Sequence, residues 1–242
     1  MPSPPWRDRK RERRRAAPAR RPLDYDQIVD AALAVLDAEG VDAMSMRRVA
    51  QQLGTGAASL YAHVQNKEEL VDAVIERILS DVEIPAPTGD WREDFVRIAY
   101  VTRDALGAHR DAAKALWGRV PTGPNAIRLA DHVYGMLRRL GLPDQLVAWA
   151  GPLLFDYITT DAYEGSLYSA TFGDENGTIK YFESLSQYFA SLPHERFPNV
   201  VELAGTLTTG GGEERFAFGL DVLLTGLKAK ASEALGDGSG DS

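Results

Sequence analysis

The sequence of 242 residues contains no cysteine, and its apolar runs stay well short of the roughly 18 residues that a membrane-spanning helix requires. The absence of cysteine excludes disulfides, thiolate metal sites and cysteine nucleophiles. The N-terminus is basic, but no apolar stretch follows it, so it does not have the form of a secretory signal. These absences favour a cytoplasmic protein without a membrane partner.

Motifs of common catalytic chemistry are also missing: there is no HExxH, no G-x-S-x-G and no Walker-type glycine–lysine loop. The run Gly210-Gly211-Gly212 precedes a predicted helix, but no lysine follows it, which favours a plain loop over a phosphate cradle. Asp156, Asp161 and Glu164 lie on one predicted helix without a second acid–base partner. The sequence therefore predicts neither an enzyme nor a bound metal or other cofactor.

Charge is divided unevenly along the chain. The net charge is −8, yet residues 1–21 contain nine Arg and Lys against two acidic residues, a balance of +7 that leaves −15 on the rest. An acidic body is repelled by DNA, so any DNA binding must come from a local surface together with this basic arm. The arm is either a solvated tail or a contact to DNA phosphates or the minor groove, and the sequence leaves both interpretations open.

The spacing of apolar residues predicts helices nearly throughout the chain. Clusters of proline and glycine separate them, and no segment has the pattern of a strand. The fold class is therefore predicted to be all-α. The predicted helices are 24–39, 46–53, 57–63, 67–83, 90–108, 111–118, 124–140, 143–169, 174–191 and 213–233.

The second and third predicted helices are joined by only Gly54-Thr55-Gly56. A turn this tight, with glycine available for positive φ, sets two helices at a steep angle, as in a helix-turn-helix. The third helix then has a face of short side chains without packing duty, which permits close approach in the ~12 Å major groove of a duplex. That face consists of Thr55, Ala57, Ala58, Ser59, Ala62 and His63.

Two segments, MSMRRVAQQLG (44–54) and ASLYAHVQNKEELVDAV (58–74), resemble the DNA-binding region of the tetracycline-repressor (TetR) family of bacterial transcription regulators. The most specific part is the series from Leu60-Tyr61 to Asn66-Lys67, followed by an acidic–Leu step. A weaker similarity to the tetracycline repressor subgroup continues over 103–121 and 214–229.

The resemblance implies nine or ten helices in a three-helix DNA-binding domain and a larger ligand-binding and dimerisation domain. The predicted divisions are a basic arm (1–22), the helix-turn-helix domain (23–66), a connecting helix (67–84), the second domain (85–234) and a flexible tail (235–242).

By position, the resemblance implies that Arg47 contacts bases and that the start of the third helix lies in the groove. Where the tetracycline repressor has a glutamine, this chain has Ala57, which offers only an apolar contact, so its operator should differ. Tyr61 could instead pack against the first helix, His63 could be a solvated surface residue, and Arg48 is expected in a surface ion pair. The implied DNA-binding residues are Ser45, Arg47, Thr55, Ala57, Ala58, Ser59, Tyr61, His63 and Lys67.

A single short helix contacts few base pairs, so a double-stranded DNA operator with palindromic half-sites and a homodimer are expected. In the family, the eighth and last helices form the dimer interface. Both carry apolar stripes here, although packing within one chain would also explain them. The stripes are Leu146, Trp149, Ala150, Gly151, Leu153 and Tyr157 in one helix, and Phe216, Ala217, Leu220, Leu223, Leu224 and Leu227 in the other.

The second domain should hold a small-molecule effector among its first four helices. Each candidate residue alone is more often part of the core than a ligand contact, but together they suit an apolar cavity with a few polar anchors. The candidate ligand-binding residues are Phe95, Ile98, Thr102, His109, Leu116, Trp117, Tyr134, Trp149 and Phe155.

Tetracycline itself is not expected to be the effector. The positions aligned with the drug–magnesium contacts of the tetracycline repressor are Glu83, Ile98, Thr102, Leu116, Arg119 and Val133. Leu116 replaces the metal-ligating histidine, and an alkyl side chain cannot coordinate Mg²⁺. A different, largely hydrophobic effector is therefore predicted.

The resemblance favours repression that is relieved when an effector shifts the population away from the DNA-binding geometry, by tilting the fourth helix. The alternative is a constitutive, sequence-tolerant DNA-binding protein that uses the arm and responds to no effector.

Overall fold

The computed structural model describes residues 23–120, 122–173 and 175–237, so the predicted arm and residues 238–242 of the predicted tail lie outside the described residues. Within those residues the chain forms ten α-helices and one 3₁₀ helix and no strand, which confirms the all-α prediction. None of the described helices is both long enough and apolar enough to cross a membrane.

The first unit consists of α1 (Tyr25–Glu39), α2 (Met46–Gln52) and the 3₁₀ helix (Ala57–Ala62). Helix α1 begins at the predicted capping box, in which Asp24 and Gln27 satisfy each other's backbone amides. The core beneath these helices is apolar and fully buried. Its members include Ile28, Ala32, Val35, Leu36, Met44, Val49, Leu60 and Val64.

The third predicted helix differs from expectation because it is 3₁₀ rather than α. Its backbone bonds span three residues, from the Ser59 amide to the Gly56 carbonyl at 3.0 Å and from the His63 amide to the Leu60 carbonyl at 2.9 Å. Six residues following a tight turn make too few α-type bonds to favour the wider helix, and short 3₁₀ segments are common in such positions. Gly54 supplies the turn with a φ of +63°.

Helix α3 (Lys67–Ser80) connects the two units and ends three residues before the predicted boundary. It packs against α1 on one side and, on the other, against three helices of the second unit. Arg77 of α3 forms ion pairs with Asp26 and Asp30 of α1, which adds a polar contact to the apolar one.

The second unit contains seven helices, of which the long α7 is central and packs against α4, α5, α6, α8 and α10. The bounds are α4 (Trp91–Gly107), α5 (Ala112–Leu116), α6 (Pro124–Arg139), α7 (Asp144–Phe172), α8 (Glu175–Ala190), α9 (Pro198–Leu207) and α10 (Gly212–Asp237). Helix α10 continues through residues 235–237, which the sequence analysis had assigned to the tail.

Helix α9 was not predicted. It is ten residues long, starts with a proline at its first turn and contains two valines and a glycine, so its intrinsic helix propensity is low. It packs chiefly against α8. Tertiary packing therefore sets its conformation, and the local sequence pattern alone does not indicate it.

Glu76 joins α3 to the start of α6. Its carboxylate accepts the backbone amides of Asn125 at 2.8 Å and Ala126 at 3.1 Å, which satisfies two of the free donors at the N-terminus of α6. In return Arg128 of α6 donates to the carbonyl of Leu79 at 3.2 Å. The ends of two helices from different parts of the chain are thus capped by each other's side chains.

Candidate functional site

The predicted DNA-contacting residues lie on α2, the 3₁₀ helix and the start of α3. Arg47, Ala58, Ser59 and His63 are exposed, and Tyr61 is 55 % exposed, so its ring is not part of the core. An exposed surface of small, hydroxyl and aromatic side chains beside one arginine fits a groove and its phosphates.

Four of the predicted residues have a structural role as well. Ser45 caps α2 by accepting the Arg48 amide at 3.2 Å, and the Thr55 hydroxyl donates to the Ser59 hydroxyl at 3.2 Å. Lys67 is half-buried, and its amine donates to the carbonyl of Val41 at 3.1 Å.

The environment of Ala57 differs from the prediction that it lies on a face without packing contacts. It is half-buried and packs against the core, so it does not belong to a face without packing duty. The 3₁₀ helix has three residues per turn, which directs position 57 toward the same side as the buried Leu60.

Two adjacent arginines on α2 have different environments. Arg48 forms an ion pair with Glu39, with its Nε 2.8 Å from the carboxylate, and also bonds Gln52. Arg47 is exposed and makes no side-chain hydrogen bond or ion pair within the part of the chain that the structure describes. Arg47 is therefore available to a ligand, whereas Arg48 is held against α1.

The helix-turn-helix unit is itself acidic. Residues 23–66 contain six carboxylates and two arginines, a net charge of −4. One of the arginines is already paired with Glu39. A duplex carries a dense array of phosphates, so this unit alone is electrostatically unfavourable for it. The segment that precedes the unit, residues 1–21, carries a compensating charge of +7.

A cavity of about 630 Å³ lies in the second unit, between α4, the segment that enters α5, α7 and the start of α10. Its lining holds three arginines and three carboxylates and is therefore balanced in charge when histidine is neutral. The lining residues are Arg103, Asp104, Gly107, His109, Arg110, Asp161, Ala162, Glu164, Gly165, Ser166, Tyr168, Ala170, Gly212 and Arg215.

Arg103 organises one wall of this cavity. Its Nε lies 3.0 Å from the Asp161 carboxylate, and its guanidinium lies 4.5 Å from the ring centre of Phe216. Its Nη1 lies 3.0 Å from the Glu213 carboxylate in an orientation outside hydrogen-bond geometry, so that contact is charge attraction alone. Burial raises the pKa of Asp161, and the charge of Arg103 opposes that rise.

A second polar cluster borders the same space. The Tyr168 hydroxyl donates to the Glu164 carboxylate at 2.7 Å, and Arg215 lies 3.4 Å from that carboxylate. These groups give the cavity fixed donors and acceptors, which are the features that orient a bound small molecule.

Of the nine residues predicted to bind the effector, only His109 lines this cavity. Four lie in the core, one is half-buried against it, and three are on the surface, so the structure does not bring the set together. The buried residues are Phe95, Ile98, Thr102 and Leu116, the half-buried one is Phe155, and the exposed ones are Trp117, Tyr134 and Trp149.

The candidate ligand-binding residues chosen from the sequence were mostly aromatic, so they did not include the charged residues that line the cavity. The sequence shows that Asp161 and Glu164 lie three residues apart on one predicted helix. Their partners Arg103 and Arg215 belong to two other helices. No local pattern pairs residues so far apart in the chain. The only sequence signal for this charged lining was the presence of charged residues within otherwise apolar helices.

Among the described residues, no group of three or more His, Asp or Glu side chains is arranged to hold a metal ion. Leu116, at the position of the metal-ligating histidine in the tetracycline repressor, is 1 % exposed.

Only part of the predicted interface stripes is exposed. Phe216, Leu220 and Leu224 are buried within their own unit and belong to its core. The exposed large apolar residues of α7 and α10, which pack against each other, include Trp149 and Leu153 from the predicted stripes, and Phe218 and Val222, which the prediction did not name. We call these four residues the exposed apolar face.

Comparisons with known families match both units. Residues 28–74 match the family model described as bacterial regulatory proteins, tetR family, and residues 84–231 match the model of the tetracyclin repressor-like C-terminal domain. The two matched segments contain the helix-turn-helix and the cavity, respectively.

Individual relatives agree with these models. The HTH-type transcriptional repressor DrrR1 of Streptomyces coeruleorubidus is 30 % identical over 220 residues, which cover 89 % of this chain and 81 % of the relative. The crystal structure of apo ActR from Streptomyces coelicolor is 43 % identical, with a TM-score of 0.79 over 89 % of this chain and 100 % of that one. ActR in complex with actinorhodin is 43 % identical, with a TM-score of 0.80 over 88 % and 99 %.

The two neighbouring arginines provide a matched pair of variants. Arg47→Ala is expected to weaken binding to a preferred duplex by about 1–3 kcal/mol, or roughly 5- to 150-fold, because it removes an unpaired guanidinium that can contact a base. Arg48→Ala removes the same charge but breaks a surface ion pair, and should change the affinity by less than about threefold. Titrating both variants with preferred and unrelated duplexes at one salt concentration measures this, and equal losses would contradict the assignment.

Proposed function

The chain belongs to the TetR family of bacterial transcription regulators, and from that premise we propose that it is a homodimeric repressor of a palindromic operator, released by a small molecule other than tetracycline–Mg²⁺. Members of this family regulate transcription and are not enzymes. The observation that carries the proposal is the presence, in one chain, of an exposed helix-turn-helix with an unpaired Arg47 and a separate cavity of about 630 Å³.

The exposed apolar face supports the homodimer. Trp149 is 64 % exposed and Phe218 is 72 % exposed, although both are large apolar side chains. Patches of this kind mark association sites in proteins that otherwise keep such residues inside. A two-fold dimer places two DNA-binding units on one duplex, and successive major-groove sites lie about 34–36 Å apart.

The cavity supports an effector that combines an apolar body with polar groups. The sequence predicted a largely hydrophobic molecule, and the charged walls around Arg103 and Glu164 add anchors for hydroxyl, carbonyl or carboxyl groups. The similar protein ActR has been solved in complex with actinorhodin, which supports a small-molecule effector here without identifying it.

A second candidate function is constitutive, sequence-tolerant DNA binding by the arm. The observation that favours it is the charge distribution, with −4 on residues 23–66 and +7 on residues 1–21. Such a protein would bind DNA through phosphate contacts alone, and its binding would not change when a molecule occupies the cavity.

Selection of DNA from a random duplex library and from the source genome tests the proposal. We expect enrichment of an inverted repeat with half-site centres about 10 base pairs apart, bound by a protein twice the 26.5 kDa chain mass in light scattering. A monomer, or a library that remains unenriched, would exclude the homodimeric repressor.

Deleting residues 1–21 tests how DNA affinity and sequence specificity are divided between the arm and the helix-turn-helix unit. For each phosphate that the arm no longer neutralises, the slope of log K against log salt should become shallower by about 0.9, so a change of several units is expected. The ratio of affinities for preferred and unrelated duplexes should change less than about threefold, because the base contacts remain. An arm of scrambled order is the control and should keep the full slope.

An unchanged slope would show that the arm is a solvated tail. A wild-type protein that prefers no sequence would instead favour the second candidate function.

Tetracycline with Mg²⁺ should not release the protein from its selected duplex at micromolar concentration. Leu116 is a buried alkyl group at the position where a histidine would ligate the metal. Fluorescence anisotropy of the labelled duplex measures release, with a tetracycline repressor on its own operator as the positive control. Release at micromolar drug would overturn this part of the proposal.

A further inference from the structure

The segment that leads into α5 contacts the DNA-binding unit directly. Three of its residues, together with Lys114 of α5, reach the end of α1 and the loop after it, and we call these contacts the interdomain joint. They are His109 Nδ1 to the Asp37 carboxylate (3.1 Å), Arg110 Nη1 to the Ala38 carbonyl (2.9 Å), the Val41 amide to Asp111 Oδ2 (3.1 Å) and Lys114 Nζ to the Asp42 carboxylate (2.6 Å).

The same segment is a wall of the cavity. His109 and Arg110 both line it, as does Gly107 immediately before them. No residue of the connecting helix α3 is among the residues that line the cavity. A direct hydrogen-bonded connection from the cavity lining to the DNA-binding unit therefore runs through the joint, whereas α3 touches the cavity only by packing against α4, which lines it.

The backbone of the joint is held in an unusual conformation. Asp111 has a φ of +58° and is the one non-glycine residue with positive φ in the described ranges. Its partner Gly40 has a φ of +85°, and a Cβ at Gly40 would lie 2.5 Å from Asp111 Oδ2. Asp tolerates this left-handed region better than most residues, but it persists only where surrounding contacts determine it.

The charges at the joint stabilise one another. The hydrogen bond from Lys114 lowers the pKa of Asp42, and the same bond raises the pKa of Lys114. Both shifts favour the ionised pair. The pair is exposed and therefore weak by itself, so it orients the two units only together with the other three contacts.

We propose that the interdomain joint transmits the state of the cavity to the DNA-binding unit: an occupant that displaces His109 or Arg110 changes the contacts at residues 37–42 and reorients the recognition surface. This inference rests on the proposed function, because it presupposes specific DNA binding and an effector. It adds a route that bypasses α3. The cavity and the DNA-binding unit are then coupled by four directional contacts between residues 109–114 and residues 37–42.

The absence of cysteine permits a test without the natural effector. Gly165→Cys places a single thiol in the cavity wall, where a Cβ meets no heavy atom within 4 Å. Labelling it with N-(1-pyrenyl)maleimide fills the cavity with a probe of known structure. Dissociation constants for the selected duplex are then measured with and without label, in the parent and in an Asp37→Ala/Asp42→Ala variant that lacks two joint contacts.

With the joint intact, the label should weaken DNA binding by about tenfold or more, within the usual range of coupling between two sites. In the joint variant the labelled and unlabelled proteins should differ by less than about twofold. A Glu68→Ala/Asp81→Ala control removes the same charge from exposed positions outside the joint and the cavity, and should keep the tenfold ratio.

A tenfold ratio that persists in the joint variant would overturn the inference, and so would a ratio near one in the parent. Failure of the proposed function is seen separately, since it leaves no duplex to which the unlabelled parent binds with sequence preference. As a second measurement, hydrogen exchange of residues 107–114 should change when the selected duplex is added, because coupling is reciprocal. No change there would contradict the joint as the route.

Discussion

The whole architecture depends on α3 being buried against both units. Leu70, Val74 and Ile78 recur at helical spacing, and Val71 and Ile75 extend the apolar surface around the helix. One unit alone could cover only part of that surface, so the helix binds two units together. Burial of each such side chain contributes about 1.5–3 kcal/mol. Separating the units would expose that surface, so α3 keeps them associated, and the contacts of Arg77 and Glu76 add polar bonds to the apolar one.

Electrostatics impose a second constraint, on how DNA is bound. The helix-turn-helix unit is acidic, and one of its two arginines is paired with Glu39. The folded unit is therefore suited to discriminate between bases but poorly suited to attract a duplex. Long-range attraction must come mainly from residues outside it, and the +7 of residues 1–21 is the obvious source. Under the proposed function, affinity and specificity would therefore be assigned to different parts of one chain.

The sequence predicts the features that depend on interactions between neighbouring residues, and it fails for those that depend on contacts between distant parts of the chain. Helices α1 and α3 combine strong apolar periodicity with side-chain caps at Asp24 and Asn66, and both were predicted within a few residues. Helix α9 has weak local signals and was missed. A cavity lies in the unit where the sequence predicted one, but only His109 of the predicted residues lines it, because contacts such as Arg103–Asp161 join residues from separate helices. Aromatic content pointed instead to residues that serve the core or the surface.

The two connections between the units differ in the kind of force that they use, and this difference assigns them different roles. The α3 contact is mainly apolar, with ion pairs of Arg77 and hydrogen bonds of Glu76 at its edges, and its apolar part is non-directional and tolerates small rotations with little change in free energy. The interdomain joint consists of hydrogen bonds and ion pairs, which weaken steeply once distance or angle departs from the optimum. A displacement of about 1 Å at His109 or Arg110 is therefore minor for α3 but sufficient to break a bond to residues 37–42. Helix α3 keeps the units associated, while the joint selects the angle between them, and the cavity lies against the connection that is sensitive to small movements.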